Sequence, residues 1–457
     1  MKKRLLIISD IAPTPDFTAG IILERFIQGV QTNFLLKFFI IHDRSLGNYH
    51  VSRYLKANQL FWTSKPREDW SGLKRLPKIF RRHGEKISEK DTANIASDIK
   101  VQISREAPDH LVIVIQGQTT IKLAESLHNL GIPITYIHWD LWDWWRVAHG
   151  LSEELDNLTK ERINSVFSEG FHLVPTANYA DHYEISPDRY IALYPSLVEG
   201  ISRKISNSNS QIDIAFAGQG YASHEITKFI NALDSIDWYL DGRRIVLNIF
   251  GKILLESSNA SSMIINRGWF HYEKLPEELS KCDLAFLPYP SEGILERVAF
   301  TSFPSKLCSY SSANLPVLYV GPLKTPTSVI ASSIGVSLDS SVSESSIIEA
   351  IRQLMNKRTD YISSNELVFT EYFSGISFRN SLNKWVTANG LGSLGDAETS
   401  RIDSHVPQFI ENFESFQVTD KKLSNDYFLL LFALTNPRIL FRKLRTKLFR
   451  ALRKIIK

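Results

Sequence analysis

Short apolar runs alternate along the chain with segments in which apolar residues recur every three to four positions. The runs in the first two hundred residues are RLLIIS (4–9), LKFFIIH (36–42), LVIVIQ (111–116), PITYIH (133–138), HLVP (172–175) and IALYP (191–195). Between the first two, GIILERFIQGV places Ile22, Phe26 and Val30 on one helical face. Apolar strands that alternate with amphipathic helices predict a parallel sheet covered by helices on both faces.

A polar break divides this pattern into two parts. Residues 202–211, SRKISNSNSQ, are rich in Ser and Asn and lack apolar periodicity, which is typical of an interdomain linker. The alternation then resumes with the runs IDIAFAG (212–218), IVLNIFG (245–251), LAFLPY (284–289) and PVLYVG (316–321). We therefore predict an α/β protein with two Rossmann-like doubly wound domains, residues 1–201 and 212–388, followed by a polar extension at 389–436.

Composition is consistent with two domains and narrows the class of protein. The chain has 457 residues, of which 43% are hydrophobic, and this is enough for more than one core. Its two cysteines, Cys282 and Cys308, form neither a disulfide framework nor a metal-ligand pattern, which fits a reducing compartment. The first apolar run, Leu5 to Ile8, is too short for a signal peptide, and no run approaches the roughly 18 apolar residues of a membrane span.

Positive charge is concentrated at the C-terminal end. Residues 438–457 hold nine Lys/Arg and no acid, although the whole chain has a net charge of only +4. One face of a helix formed by RILFRKLRTKLFRALRKIIK would be apolar; it comprises Phe441, Leu444, Leu448, Leu452 and Ile455. An apolar stripe beside a cationic face is typical of a helix that lies on an anionic bilayer.

We therefore predict that residues 437–457 bind the protein peripherally to the cytoplasmic face of the cell membrane. The alternative is a basic helix that docks on the acidic body of the protein or contacts nucleic acid. No nucleic-acid-binding module is visible in the sequence, so nucleic acid is not an expected partner.

The carboxyl ends of the predicted strands are the expected positions of a binding or catalytic site, because open parallel sheets bind ligands there. Gly20 precedes the first helix, and Gly218 and Gly220 follow the first strand of the second domain. Such glycines allow close backbone approach to a ligand, and helix N-termini favour phosphate. The chain has no dinucleotide fingerprint, no P-loop and no Asp-x-Asp at a strand end. The charge of a phosphorylated ligand would then fall to lysines, of which Lys306 and Lys252 are the best placed.

The segment FPSKLCSYSSANLPV, with the two domains and the glycine loop before it, resembles the GT-B glycosyltransferases of the retaining, nucleotide-sugar-using type. The matching positions are Pro304, Ser305, Lys306, Leu307, Tyr310, Pro316 and Val317, and the likeness spans roughly residues 1–388. The resemblance implies that this segment binds the ribose and phosphates of the donor, with Lys306 on the diphosphate. It implies transfer from a nucleotide-diphosphate sugar to a glycan or lipid-linked acceptor, as in cell-surface polysaccharide or glycolipid synthesis, with neither metal nor cofactor.

The same resemblance assigns roles in the first domain. His138, at the end of PITYIH, would face the donor sugar, and Gly20 would lie near the diphosphate. Asp140 or Asp143 would act as the base if the reaction inverts the anomeric centre. The segment HWDLWDWW (138–145) contains four tryptophans, Trp139, Trp142, Trp144 and Trp145. These either stack on a sugar or lipid acceptor or pack in the core.

Two departures from the family pattern concern donor binding. The two glutamates that the family carries in this region fall on Thr301 and Ser309, and its arginine after the first glycine of the second domain is Gln219. Glu292 and Glu296 are the candidates to replace the ribose-binding glutamate. Two alternatives therefore stay open: a GT-B-shaped, membrane-bound partner of another transferase that does not bind donor, and a nucleotide-sugar epimerase.

Overall fold

Two parallel β-sheets with helices on their faces form the described part of the protein. The computed structural model describes residues 2–15, 18–43, 54–65, 89–141, 164–197, 200–201, 210–251 and 262–394, apart from positions 167, 219 and 221. The predicted basic helix at 437–457 lies outside these residues, as do Lys252, Gln219, Asp143 and most of the predicted extension.

The first sheet contains seven strands, β1 (Arg4–Ser9), β2 (Leu35–Asp43), β3 (Leu60–Lys65), β4 (His110–Ile115), β5 (Ile134–His138), β6 (Phe171–Val174) and β7 (Tyr190–Ala192). Their order is β3-β2-β1-β4-β5-β6-β7, and every pairing is parallel. Its helices are α1 (Thr18–Val30), α2 (Glu89–Glu106), α3 (Gln118–His128) and α4 (Ala177–His182). Strand β3 is absent from the apolar pattern because it forms the sheet edge, where Trp62 is half exposed.

The second sheet contains β8 (Gln211–Ala217), β9 (Tyr239–Leu240), β10 (Arg243–Phe250), β11 (Ile264–Gly268), β12 (Leu284–Pro288), β13 (Val317–Val320) and β14 (Gly335–Leu338). The parallel order is β11-β10-β8-β12-β13-β14, and β9 pairs antiparallel with β10. The helices are α5 (Ser223–Asp234), α6 (Leu275–Leu279), α7 (Gly293–Thr301), α8 (Ser305–Ser312), α9 (Pro326–Ser333), α10 (Glu344–Asn356), α11 (Arg358–Val368) and α12 (Gly375–Ala388). None of the described helices is both long and apolar enough to span a bilayer.

Both faces of each sheet are buried, as the uninterrupted apolar strands predict. In the first domain, Ile7 and Ile8 on successive positions of β1 belong to separate apolar clusters on the two faces, because side chains alternate along a strand. The predicted helical stripe of Ile22, Phe26 and Val30 is buried on α1. The cluster on this face continues into the second domain, where it includes Leu307 of α8. Apolar burial therefore joins the two domains.

The last described helix packs on the first domain, although it follows the second in sequence. Trp385 of α12 is fully buried, contacts Phe26 of α1 at a ring-centroid distance of 5.4 Å, and donates a hydrogen bond to Thr135 Oγ1 (2.9 Å). A Cβ on Gly29 of α1 would lie 2.5 Å from Leu382 Cδ1, so this glycine allows the two helices to approach closely. The range 212–388, assigned to the second domain from sequence, thus includes a helix that contacts the first.

Candidate functional site

The carboxyl ends of the two sheets face each other. Asp140 follows β5 in the first domain, and Tyr289 follows β12 in the second. Burial raises the pKa of the Tyr289 hydroxyl, and the nearby carboxylate of Asp140 raises it further. Beyond the end of β6, the Thr176 hydroxyl donates to the carbonyl of Thr301 in the second domain (2.8 Å), so loops from both domains meet here. The cleft between the sheets therefore brings together residues of both domains, as a two-substrate site requires.

Lys306 lies in the second-domain half of this cleft. It is the second residue of α8, and its Nζ lies 5.5 Å from the centroid of the Phe216 ring. Burial lowers the pKa of Lys306 from 10.5 to about 8. A cation is disfavoured at a helix N-terminus and in a buried position, whereas an anion bound at the same place would stabilise its charge. The local structure thus favours a negatively charged ligand.

Two glycines make room for this lysine. Gly218, directly after β8, has a φ of +102°, and a Cβ on it would lie 2.4 Å from Lys306 Cε. Gly251, directly after β10, faces the other side of the same loop, since a Cβ there would lie 2.6 Å from the Gly218 carbonyl oxygen. The Gly218 amide donates to the Phe250 carbonyl (2.9 Å). Gly218 was predicted to contact the ligand, and its position beside Lys306 gives it a second role as a packing partner.

Tyr310 anchors the helix that carries Lys306. Its hydroxyl accepts a hydrogen bond from the Ala217 amide (2.7 Å) and donates one to the Phe286 carbonyl (3.1 Å). Burial raises the pKa of this hydroxyl. Both bonds join α8 to the neighbouring strands β8 and β12. The structure therefore gives Tyr310 a supporting position in the domain interior, while Ser305, also predicted to bind donor, is partly exposed at the start of α8.

His138 lies in a buried network at the end of β5. Its Nε2 is 3.1 Å from His172 Nδ1, and its Nδ1 is 3.1 Å from the Tyr179 hydroxyl. Burial, and then the neighbouring His172, lower the pKa of His138 well below its usual value, so the imidazole is neutral at physiological pH. The side chain is 1% exposed. This geometry orients the end of β5 and with it the adjacent Trp139 and Asp140; direct contact of His138 with a sugar stays a prediction.

Gly20 is the third residue of α1, because the helix begins at Thr18, before this glycine rather than after it as the sequence predicted. A Cβ on Gly20 would lie 2.5 Å from Thr14 Cγ2, and the Thr14 amide is 3.3 Å from the Gly20 carbonyl oxygen. The missing side chain thus permits a tight turn against α1. Gly220, in the loop between β8 and α5 of the second domain, is partly buried.

The carboxylates of the second domain are arranged differently from the family pattern. Thr301 and Ser309 each bond through the side-chain hydroxyl to a backbone carbonyl of the preceding helical turn. Glu292 is at the N-cap of α7, its side chain is 75% exposed, and its Oε1 lies 3.8 Å from His224 Nδ1. Glu225, which sequence reasoning missed, is buried in the first turn of α5 and accepts a hydrogen bond from the Ser291 hydroxyl. Its place directly after the glycine loop was the available signal.

The first domain anchors the loop that leads to Lys306. The Thr176 hydroxyl donates to the Thr301 carbonyl (2.8 Å). Phe303 packs edge-on against Tyr194, with ring centroids 5.0 Å apart, and Tyr194 packs likewise against Tyr372 (5.5 Å). Tyr194 lies where the chain leaves the first domain, and Tyr372 lies in a π-helical turn (Phe369–Phe373) before α12 returns to it. Phe303 also packs against Phe373 of this turn (5.7 Å), so both crossings between the domains contact the loop that leads to Lys306.

Metal ligands do not cluster in the ranges described. Within them, no group of three or more His, Cys, Asp or Glu side chains could hold a metal ion.

No family model and no curated protein matches the sequence. Solved structures do match. A sucrose-phosphate synthase from Thermosynechococcus elongatus has a TM-score of 0.57 at 9% identity, covering 84% of this chain and 98% of that one. A lipopolysaccharide outer core galactosyltransferase has a TM-score of 0.54 at 11% identity, covering 84% of this chain and 99% of that one. Anabaena HepE in complex with UDP has the same TM-score at 10% identity, covering 84% of this chain and 100% of that one. At such identities these likenesses show the fold, which is the predicted GT-B arrangement of two Rossmann-like domains.

Proposed function

We propose that this protein is a glycosyltransferase that moves a sugar from a nucleotide-diphosphate donor to an acceptor. One observation carries the proposal: Lys306, whose pKa is lowered to about 8 by burial, lies at a helix N-terminus against Gly218, in a cleft between two Rossmann-like domains. This combination provides one cation and a helix N-terminus at the carboxyl ends of parallel strands, where a diphosphate would be stabilised. Sugar-nucleotide chemistry in similar folds is consistent with it.

In this proposal, the second domain binds the donor and the first domain binds the acceptor. Lys306 and the backbone N–H groups at the start of α8 stabilise the negative charge that develops on the leaving diphosphate. Asp140 lies across the cleft beside Tyr289 and is the candidate base if the reaction inverts. Catalysis then rests on positioning and charge stabilisation, without a metal ion or a cofactor.

The C-terminal segment is the basis for the proposed acceptor and location. The basic amphipathic segment 437–457 would hold the protein on the cytoplasmic face of the membrane, beside a lipid-linked or cell-surface glycan acceptor. Such an acceptor would diffuse in the same plane as the enzyme. We infer a role in polysaccharide or glycolipid synthesis from this arrangement.

Isothermal titration calorimetry with the diphosphates of uridine, guanosine and adenosine tests the proposal. We expect one of them to bind, and Lys306→Ala to weaken that binding about ten- to hundredfold, because a charge-assisted hydrogen bond contributes about 1.5–3 kcal/mol. Lys357→Ala, at an exposed position between α10 and α11, is the control. No binding by the wild-type chain would favour the alternative of a partner protein without donor binding. Conversion of a nucleotide sugar in the absence of any acceptor would favour the epimerase.

A further inference from the structure

Two residues that each carry a buried polar atom follow neighbouring strands at the first-domain edge of the cleft. Gln116 directly follows β4 and Trp139 directly follows β5, and the last register pair of these strands is Ile115 with His138. The residues after that pair are therefore neighbours, since adjacent strands lie about 4.8 Å apart. Trp139 packs on the same apolar cluster as Ile137 and Val114, which fixes the face on which it lies. By strand alternation, Gln116 belongs to that face too.

Neither polar atom is paired within the described part of the chain. Gln116 Oε1 and Trp139 Nε1 are both buried and have no hydrogen-bond partner there. One is an acceptor and the other a donor. A buried polar atom without a partner destabilises the folded protein, so two such atoms at one strand-end position call for an explanation from binding.

The backbone beside Gln116 is held firmly. Thr120 Oγ1 accepts hydrogen bonds from the amides of Gln116 (3.1 Å) and Gly117 (3.2 Å), and donates one to the Gly117 carbonyl (3.1 Å). Thr120 is fully buried in the first turn of α3. The side-chain amide of Gln116, whose Oε1 is unpaired, thus extends from a fixed backbone. This is the arrangement of a preorganised binding group.

We propose that Gln116 and Trp139 together bind one hydroxyl group of a sugar. A hydroxyl both donates and accepts, so its hydrogen would bond to Gln116 Oε1 while its oxygen accepts from Trp139 Nε1–H. The indole ring would provide apolar surface for the C–H face of the same sugar ring. Asp140 follows Trp139 and is close enough to raise the pKa of Tyr289 in the other domain, so this pair lies on the side of the first domain that is turned to the second.

This inference rests on the proposed function and specifies its substrate contacts. The pair lies in the first domain, whereas the candidate diphosphate group, Lys306, lies in the second. The pair therefore contacts a sugar rather than the nucleotide. The hydroxyl belongs either to the transferred sugar of the donor or to the acceptor, and the same chemistry serves both.

Three substitutions separate this role from a structural one. Gln116→Met and Trp139→Phe remove the polar atoms and keep most of the volume. Gln102→Met is the matched control, because Gln102 Oε1 is also buried and unpaired in the described residues but lies on α2, away from the cleft. We expect Gln116→Met and Gln102→Met to melt at the wild-type temperature or above it, since an unpaired polar group is replaced by an apolar one. Trp139→Phe should melt slightly lower, because the smaller ring packs less well on the apolar cluster. A large fall in melting temperature for Gln116→Met alone would show a structural role and overturn the inference.

Binding is measured by calorimetry and by the indole ¹⁵N–¹H signal of Trp139, identified among the nine tryptophans by its loss in Trp139→Phe. The ligands are UDP, UDP-glucose, UDP-galactose and UDP-N-acetylglucosamine, and the free monosaccharides in the presence of UDP. If the hydroxyl belongs to the donor, a UDP-sugar shifts the signal and UDP does not. Gln116→Met then loses about tenfold in affinity for the UDP-sugar and none for UDP. If it belongs to the acceptor, a free monosaccharide shifts the signal instead.

Failure of the inference can be told apart from failure of the proposed function. If UDP-sugars bind, yet neither they nor monosaccharides shift the Trp139 signal, the hydroxyl site is wrong and the proposed function stands. If no nucleotide binds, the proposed function fails, and the binding of monosaccharides alone tests whether Gln116 and Trp139 bind a sugar hydroxyl. In that case a shift abolished in Gln116→Met but kept in Gln102→Met supports it, and no shift overturns it.

Discussion

Lys306 occupies the space that a side chain on Gly218 would fill, with its Cε 2.4 Å from the position of the missing Cβ. The two residues come from separate elements, the start of α8 and the end of β8. Because Gly218 also has a φ of +102°, both its conformation and its surroundings exclude a side chain. The position of the lysine therefore depends on a glycine far from it in sequence.

Gly218→Ala is expected to displace the lysine and weaken nucleotide binding about as much as Lys306→Ala. The double variant should bind no worse than either single variant, because both changes remove the same interaction. Calorimetry with UDP measures all three. Gly242→Ala is the control, since Gly242 has a similar φ of +76° but has no atom within 4 Å of its Cβ position. Additive losses in the double variant would show that Gly218 and Lys306 act separately.

Nucleotide binding should weaken as pH rises above about 8. Lys306 is protonated below its lowered pKa of about 8 and loses its charge above it. Because a diphosphate binds the charged form better, affinity is highest below this pH and falls by up to about tenfold per pH unit above it. Titrations from pH 6.5 to 9.5 measure this dependence. Lys306→Arg, whose guanidinium stays charged throughout, should abolish the dependence; the same slope in this variant would assign it to another group.

Phe303→Leu should reduce nucleotide affinity as well as stability. This residue packs against Tyr194 and lies in the loop just before α8, the helix that carries Lys306, so a smaller side chain loosens the contact that holds the loop to the first domain. Phe229→Leu is the control, because Phe229 stacks on Phe286 inside the second domain. Both variants should lose about 1 kcal/mol in free energy of unfolding. Only Phe303→Leu should bind UDP more weakly; equal UDP affinity in the two variants would contradict the role of this contact.

Deletion of residues 437–457 should abolish binding to anionic liposomes and leave the two domains folded. Each cation near an anionic surface contributes about 1 kcal/mol, so even half of the nine in this segment would hold the protein reversibly. Sedimentation with phosphatidylglycerol-containing liposomes measures membrane binding, with phosphatidylcholine liposomes and high salt as controls. If the truncated chain sediments as the full chain does, another surface binds the membrane.

Transferase activity should persist in excess EDTA. The sequence has no Asp-x-Asp at a strand end, and Lys306 together with helix amides is proposed to carry the charge of the leaving diphosphate. Turnover with and without chelator, in a preparation stripped of metal beforehand, measures this. Complete loss of activity that manganese or magnesium restores would mean that a metal ion takes over this charge.

The supporting residues of the site were harder to predict than its central lysine. Lys306 could be predicted as a ligand-binding residue because it lies at the start of a helix, where a cation is unfavourable unless it binds an anion. Gly218 could be predicted from its position at the end of a strand. Tyr310 belongs to the same motif, yet its hydroxyl bonds the backbone of two strands, because the sheet brings Ala217 and Phe286 under α8. Gln116 lies in a loop that the strand-end rule indicates, and Glu225 lies in the first turn of the helix after such a loop. Nothing local to either residue shows whether its side chain is buried or paired.

The sequence by itself determined the two α/β domains, because apolar periodicity reflects burial over a few residues and needs no distant partner. It also determined the edges of the sheets at which ligands would bind, since every parallel strand presents its carboxyl end on the same side. Only the tertiary structure decided which strand ends are neighbours. The placement of β4 beside β5 brings Gln116 to Trp139, and the packing of α8 over β8 brings Lys306 to Gly218. The return of α12 to the first domain was likewise decided there, by the burial of Trp385 against Phe26. These contacts join residues that are distant along the chain, and their energies depend on the packing of complete domains rather than on any local pattern.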